Sequence, residues 1–235
     1  MEREKTADVE LLPLFLNLTG RAGVLVGGGR VAAGKLQQLL AAGARVRMVA
    51  PDISVDAIDI MSRGALRVEI IPRRFVPSDL DAAWFVVAAA TPEINREVAI
   101  AAEERRLFVN AVDDPANASA FLSGVVRRDG LTLAISTSGD APALTALLRE
   151  ALDAVLPRDL AAWLAQARTE RTVWRRDAVP MEQRKPRLLR ALNALYSDAR
   201  MRSPQTGASN GADQWSATPT GERIPWLSGP EDSWL

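Results

Sequence analysis

The stretch Val24-Leu-Val-Gly-Gly-Gly-Arg-Val-Ala-Ala-Gly-Lys35 decides the fold of this chain. Its short apolar run ends abruptly in three glycines, Gly27–Gly29, which is typical of a buried strand that meets a tight turn. Apolar residues then recur at helical spacing over Val31–Ala42, and Gly43 follows where a left-handed residue ends a helix. A second apolar strand, Val46–Ala50, completes a β-α-β unit.

The alternation of strands and helices continues as far as residue 112. The next elements are expected at residues 55–63 (helix), 66–71 (strand), 83–90 (strand), 92–105 (helix) and 107–112 (strand). The third of these is wholly apolar or aromatic, as is typical of a strand buried on both faces of a parallel sheet. The pattern therefore predicts an α/β fold with a Rossmann-like, doubly wound parallel sheet.

A different pattern begins at residue 113. Apolar runs at 121–126 and 131–137 flank Asp129-Gly130, a pair typical of a tight β-hairpin turn, and helices are expected at 142–155, 158–176 and 181–199. From Met201 onward Ser, Gly, Pro and Thr dominate, which favours a disordered tail. We predict four regions: a dinucleotide-binding domain (1–112), a small α+β module (113–156), a helical module (157–200) and the tail (201–235).

The composition excludes several classes of chemistry. The 29 Lys and Arg residues balance 29 Asp and Glu residues, so the net charge predicts no nucleic-acid or anionic-membrane partner. The chain has no cysteine and no histidine, which excludes Ser-His-Asp and Cys-His catalytic groups and histidine-ligated metals. Acid–base chemistry must therefore use carboxylates, Lys, Tyr or water. Since neither a signal peptide nor a membrane span is recognisable, we expect a cytoplasmic protein.

The first candidate site is the fingerprint Gly27-x-Gly29-x-x-Ala32, which follows a strand and opens a helix. Gly27 permits a sharp turn, Gly29 allows the backbone to approach a pyrophosphate, and the free amide groups at the helix start attract negative oxygen. A glycine turn needed only for strand–helix packing is the alternative. For Lys35, farther along this helix, we favour a solvated position over a phosphate contact.

The second strand leaves the choice of dinucleotide open. The acidic residue that recognises the adenosine ribose is missing at Val49 and Ala50, and Asp52 lies just beyond them. Arg30 and Arg47 are near enough in the sequence to tolerate a 2′-phosphate. These residues therefore do not distinguish NAD from NADP.

The second candidate site follows the strand at 107–112. Ligands of open α/β sheets bind beyond the carboxyl ends of the strands, where Asp113 and Asp114 are expected. We predict that Asp113 faces the cleft as a general base and that Asp114 forms the turn before Pro115. The loop Ser136–Asp140 lines a pocket or caps the next helix, and both readings remain open.

Six motifs follow one another in the order and spacing of a known family: Leu12–Leu18, Val26–Lys35, Ala42–Ala44, Ala89–Thr91 with Asn95, Val109–Pro115, and Leu133–Thr137 with Pro142. The series closely resembles the amino-terminal region of siroheme synthase, the precorrin-2 dehydrogenase/sirohydrochlorin ferrochelatase family. The likeness is strong from residue 11 to about residue 157 and weak in the helices that follow.

The resemblance implies NAD-dependent oxidation of precorrin-2 to sirohydrochlorin and, in bifunctional members, insertion of Fe²⁺ as a substrate to give siroheme. It implies a homodimer in which residues 113–156 supply dimer contacts and active-site residues. The family's essential aspartate corresponds to Asp113, which is also a transient contact for iron, with no permanent metal site. We assign the substrate to Asn110 and Ser136, and the cofactor to Gly27, Gly28, Gly29, Arg30, Val31, Pro51, Asp52 and Thr91.

Two other functions remain open at this stage. One is a Rossmann oxidoreductase that acts on another small substrate. The other is a non-catalytic NAD- or tetrapyrrole-binding regulator, for which Asp113 would be dispensable. In that reading the tail tryptophans Trp215, Trp226 and Trp234 would dock a protein partner, although we favour chance apolar residues as their explanation.

Overall fold

The computed structural model describes residues 10–63, 65–122 and 124–202. Most of the predicted tail, with its three tryptophans, therefore lies outside the described residues. The described strands and α-helices are, in order, β1 (Ala22–Val26), α1 (Arg30–Ala41), β2 (Arg45–Val49), α2 (Val55–Arg63), β3 (Val68–Ile71), β4 (Phe85–Ala88), α3 (Pro92–Glu104), β5 (Val109–Ala111), β6 (Gly124–Arg128), β7 (Leu131–Ile135), α4 (Pro142–Val155), α5 (Leu160–Arg176) and α6 (Met181–Arg202).

Strands β1 to β5 form one sheet in the order β3-β2-β1-β4-β5, and all four pairings are parallel. This arrangement confirms the predicted Rossmann-like fold. The chain runs outward from β1 through β2 to β3 and then continues in β4 on the other side of β1. The order therefore reverses between β1 and β4, and open α/β sheets bind ligands at such a point.

The inner strands β1 and β4 are buried on both faces because their side chains alternate between two apolar clusters. Leu25, Met48 and Val87 belong to one cluster, and Val24 and Val86 belong to the other. All five are at most 2 % exposed. Burial on both sides explains why β1 and β4 read as continuous apolar runs in the sequence.

The hairpin β6–β7 forms, but its first strand starts three residues later than predicted. Asp129 and Gly130 make the turn with φ of 51° and 94°. A two-residue turn with both central residues at positive φ forces its flanking residues, Arg128 and Leu131, to pair with each other. The apolar run beginning at Phe121 therefore contributes its later residues to the strand, while Phe121 itself precedes it.

The chain divides into two compact units. Among the described residues, those from 10 to 126 together with Leu133–Ala154 form the first unit, and Arg127–Thr132 together with residues 155–202 form the second. In the second unit Leu160, Trp163 and Leu192 are buried together between α5 and α6. None of the described helices combines the length and the apolar composition that crossing a membrane requires.

Candidate active site

Four loops of the first unit leave the carboxyl edge of the parallel sheet. They begin at Gly27 after β1, at Ala50 after β2, at Ala89 after β4 and at Val112 after β5. Because neighbouring parallel strands end at the same edge, this topology places the predicted cofactor residues and Asp113 along one side of the sheet.

The first two glycines of the turn are required by the protein's own packing. Gly27 has φ of 122°, and a Cβ there would overlap the carbonyl oxygen of Ala89. A Cβ on Gly28 would overlap the carbonyl oxygen of Asp52, and the Ser54 amide donates to the Gly28 carbonyl at 2.8 Å. The loops after β2 and β4 thus close directly onto the backbone of this turn.

Gly29 has a different environment from the other two glycines. It precedes the first turn of α1 with φ of −76°, and a Cβ there would meet nothing within 4 Å. That first turn contains no acidic side chain, and no side chain caps its amide groups. Packing alone does not explain this third glycine, whereas a pyrophosphate bound against the helix start does. The residues present therefore fit a dinucleotide.

The other predicted cofactor residues surround this turn. Arg30 and Val31 begin α1, and Val31 is 52 % exposed. Pro51 and Asp52 are exposed in the loop after β2, and Thr91 is exposed immediately before α3. Their side chains are accessible to a ligand lying along the edge of the sheet.

A cavity of about 510 Å³ lies within the first unit and contains the predicted catalytic and substrate residues. It brings together Asp113, Asn110 and Ser136, and none of the predicted cofactor residues lines it. Further lining side chains come from α1, the segment before β6 and helix α4: Lys35, Gln38, Phe121, Leu122, Thr145 and Arg149. The predicted catalytic and substrate residues thus line this cavity, and the predicted cofactor residues lie outside it on the same edge of the sheet.

Asp113 and Asp114 differ in their surroundings. Asp113 has φ of 56°, a left-handed conformation that Asp tolerates better than most residues. Asp114 accepts a hydrogen bond from Asn117 Nδ2 at 2.7 Å and precedes a short 3-10 helix over Pro115–Asn117. Both residues line the cavity, but only Asp114 uses its carboxylate to hold the turn.

Asn110 carries an unused hydrogen-bond acceptor at the cavity. The residue is 6 % exposed, and its Nδ2 donates to the Ala120 carbonyl at 3.0 Å. Its Oδ1 is buried and has no hydrogen-bond partner among the described residues. Leaving such an atom unpaired costs about 1–3 kcal/mol.

The sequence favoured a solvated helix face for Lys35 over a phosphate contact. The side chain is instead half-buried and lines the cavity. Burial lowers the pKa of Lys35, and the attraction of the Asp113 carboxylate opposes that shift. The hydrophobic periodicity of α1 could not predict that Lys35 lies near Asp113, because the two residues are far apart in the sequence.

Asn95 was recognised in the sequence only as part of a motif, with no role. It is 3 % exposed, accepts from the Ala90 amide at 3.0 Å and donates to the Val112 carbonyl at 3.3 Å. Its side chain thus ties the loop after β4 to the residue that precedes Asp113. No local sequence pattern predicts this bridge, because one backbone partner follows β4 and the other follows β5.

Comparisons with known proteins agree with this geometry. A family model described as putative NAD(P)-binding matches residues 14–124, and one described as sirohaem biosynthesis protein central matches residues 128–154. The chain belongs to the siroheme synthase amino-terminal family. Siroheme synthase 1 of Aeromonas salmonicida is 35% identical over 232 residues, and siroheme synthase 3 of Aeromonas hydrophila subsp. hydrophila is 39% identical over 160 residues. The family resemblance predicted from the sequence is confirmed.

The aligned regions cover 97% and 68% of this siroheme synthase family chain but only 49% and 34% of those two relatives. The chain thus spans between a third and a half of their length. Among solved structures, SirC, precorrin-2 dehydrogenase, matches with a TM-score of 0.61 and 25% sequence identity. That match covers 76% of this chain and 87% of SirC.

Proposed function

We propose that this chain is an NAD-dependent dehydrogenase that oxidises precorrin-2 to sirohydrochlorin. The observation that carries the proposal is the position of Asp113. Asp113 lines a cavity at the carboxyl edge of the parallel sheet, the same edge from which the glycine turn after β1 leaves. The likeness to SirC over most of both chains supports the same substrate.

The oxidation removes a hydride and a proton from precorrin-2. Bound NAD supplies the hydride acceptor. Gly29 and the first-turn amides of α1 would hold its pyrophosphate, and Asp52 would bind a ribose hydroxyl. Asp113 accepts the proton, since the chain has no histidine and a carboxylate is the available base beside the cavity. Asn110, which lines the same cavity, would contact the substrate there.

The oligomeric state and the cellular location were also predicted from the sequence. We propose a homodimer, because α4 presents exposed apolar side chains at helical spacing, Leu144, Leu147, Leu148 and Leu152, that a second copy would cover. Light scattering should then give a mass near twice 25.4 kDa. We also propose a cytoplasmic location, which is consistent with the absence of cysteine.

Iron insertion into sirohydrochlorin is a second candidate activity. The specific observation that favours it is that two adjacent carboxylates, Asp113 and Asp114, line one cavity. Insertion releases two pyrrole protons, which carboxylates can accept while they attract the cation. The described residues contain no cluster of three or more metal-ligating side chains, so Fe²⁺ would arrive as a substrate. Formation of siroheme from sirohydrochlorin and Fe²⁺ without NAD tests this activity separately.

The decisive experiment follows the absorbance of purified protein with precorrin-2 and NAD. Asp113→Asn should lower kcat by about 10²–10⁴, the usual contribution of a positioned base. Asn is the substitution of choice because it tolerates the left-handed conformation of this position. Asp140→Asn is the matched control, since Asp140 is exposed and does not line the cavity.

Three results would count against the proposal. Absence of sirohydrochlorin with the unaltered chain would refute the dehydrogenase. Full activity of Asp113→Asn would refute Asp113 as the base. Tight NAD and sirohydrochlorin binding without turnover would favour the non-catalytic alternative.

A further inference from the structure

Lys35 places a positive charge in the cavity, and none of the described residues forms an ion pair with it. A lysine on a helix can usually extend its ammonium group into water. Lys35 instead is half-buried against the cavity, and it makes no ion pair or hydrogen bond to any residue that the structure describes. Holding an unpaired ammonium there is unfavourable until an anion joins it.

The charged groups that face Lys35 across the cavity are Asp113, Asp114 and Arg149. Asp114 is engaged with Asn117, and Arg149 lies within 3.3 Å of Glu150. Asp113 attracts Lys35 but lies beyond ion-pair distance. The Lys35 ammonium and the Asp113 carboxylate are therefore two separate attachment points of opposite charge in one cavity.

The anion that fits this position belongs to the substrate rather than to the cofactor. Lys35 lies in the second turn of α1, and the cavity that it lines includes neither Gly29 nor Arg30. A dinucleotide pyrophosphate bound at the helix start would therefore lie outside this cavity. Precorrin-2 and sirohydrochlorin each carry eight carboxylates, so an ammonium group in the cavity has many possible partners on them.

We propose that Lys35 binds a carboxylate of the tetrapyrrole and thereby determines which edge of the macrocycle faces Asp113. This inference rests on the proposed dehydrogenase function and adds a substrate-binding residue to it. Lys35 is a binding residue, and it takes no part in the transfer of the hydride or the proton.

A binding role predicts a particular dependence on pH. An anion binds Lys35 best while the ammonium is charged, so affinity should fall as pH rises through the pKa of this group. Burial lowers that pKa, so the fall should occur at a lower pH than for an exposed lysine. Carboxylates and guanidinium groups, which are the other charged groups of the cavity, do not ordinarily change charge between neutral and alkaline pH.

The test is a fluorescence titration of the full-length protein with sirohydrochlorin in the absence of NAD. Lys35→Met keeps the length of the side chain and its helix propensity but removes the charge, and it should weaken binding by about 10- to 100-fold. Lys35→Arg should restore most of the affinity and abolish the fall at alkaline pH. Lys185→Met, which removes the same charge from an exposed position on α6, should bind like the unaltered chain.

Kinetics and folding provide the remaining readouts. Lys35→Met should raise the KM for precorrin-2 by a similar factor and change kcat by less than about threefold. Unchanged NAD affinity and an unchanged unfolding midpoint would show that α1 is intact. A lower kcat with unchanged KM would overturn the proposal, because Lys35 would then act in the chemical step.

The two proposals fail in distinguishable ways. If the unaltered chain does not bind sirohydrochlorin, the proposed function fails and this inference fails with it. If the unaltered chain binds sirohydrochlorin and Lys35→Met binds it equally tightly, only the role of Lys35 is overturned.

Discussion

The glycine turn after β1 and the cavity beside Asp113 belong to the same edge of the same sheet, but they are built differently. The turn is a continuous piece of backbone, Gly27–Gly29, whose shape follows from the absence of side chains. The cavity is assembled from side chains of α1, α4 and the loops after β5 and β7. A site made of local backbone can be recognised in a sequence, whereas a site made of distant side chains depends on the folded structure.

The largest effect should come from Gly27→Ala. The new Cβ would overlap the Ala89 carbonyl, and Ala would have to adopt φ of 122°. Overpacking and the strained backbone together should lower the free energy of unfolding by about 3 kcal/mol or more. Urea unfolding of the full chain measures the difference.

Gly34→Ala is the matched control for this substitution. It makes the same chemical change within α1, where a Cβ would meet nothing within 4 Å. Removing a glycine from a helix interior should stabilise the protein by about 0.5–1 kcal/mol. If the two variants had the same free energy of unfolding, the conformation of the turn would not require glycine at position 27.

Local patterns were sufficient to predict most of the fold. Short runs rich in apolar residues identified the strands, and the helix α2 (Val55–Arg63) and the helix α4 (Pro142–Val155) begin and end at the predicted residues. Strand ends were less predictable. The apolar run at 83–90 gives the shorter strand β4, because the chain departs from β1 once the Ala89 amide has bonded to the Val26 carbonyl.

The cavity was only partly predictable. Asp113 was found because it follows a strand, and strand ends share one edge of a parallel sheet. Lys35 and Asn95 lie on helices, where their spacing resembles that of ordinary surface or core positions. Lys35 interacts with Asp113, and Asn95 donates to the Val112 carbonyl. Helical periodicity cannot predict contacts between residues this far apart in the sequence. The unpaired Oδ1 of Asn110 likewise can be recognised only from the folded structure, where the positions of all neighbouring described donors are known.

Asn95→Asp tests whether the loop after β4 and the cavity are coupled. The variant keeps an acceptor for the Ala90 amide but puts a carboxylate oxygen against the Val112 carbonyl, where Nδ2 now donates. We expect a loss of about 1–3 kcal/mol in the free energy of unfolding and a lower kcat, because Val112 precedes Asp113. The loss should shrink as pH falls, since a protonated Asp can donate to Val112.

Asn17→Asp is the control for the Asn95 substitution. Asn17 is exposed, and its Oδ1 accepts from the Thr19 amide, a role that Asp can also fill. The free energy of unfolding of Asn17→Asp should therefore equal that of the unaltered chain. Equal kcat for Asn95→Asp and the unaltered enzyme would show that the bridge supports the fold without positioning Asp113.

The smallest effect on stability should come from Gly29→Ala, which separates the third glycine from the first two. A Cβ at Gly29 meets no protein atom within 4 Å, so the free energy of unfolding should change by no more than about 0.5 kcal/mol. NAD affinity, measured by calorimetry, should nevertheless fall at least about tenfold, because the methyl group would occupy the path of the pyrophosphate. A loss of stability comparable with that of Gly27→Ala would mean that Gly29 serves packing. Unchanged NAD affinity in a stable variant would place the dinucleotide away from this turn.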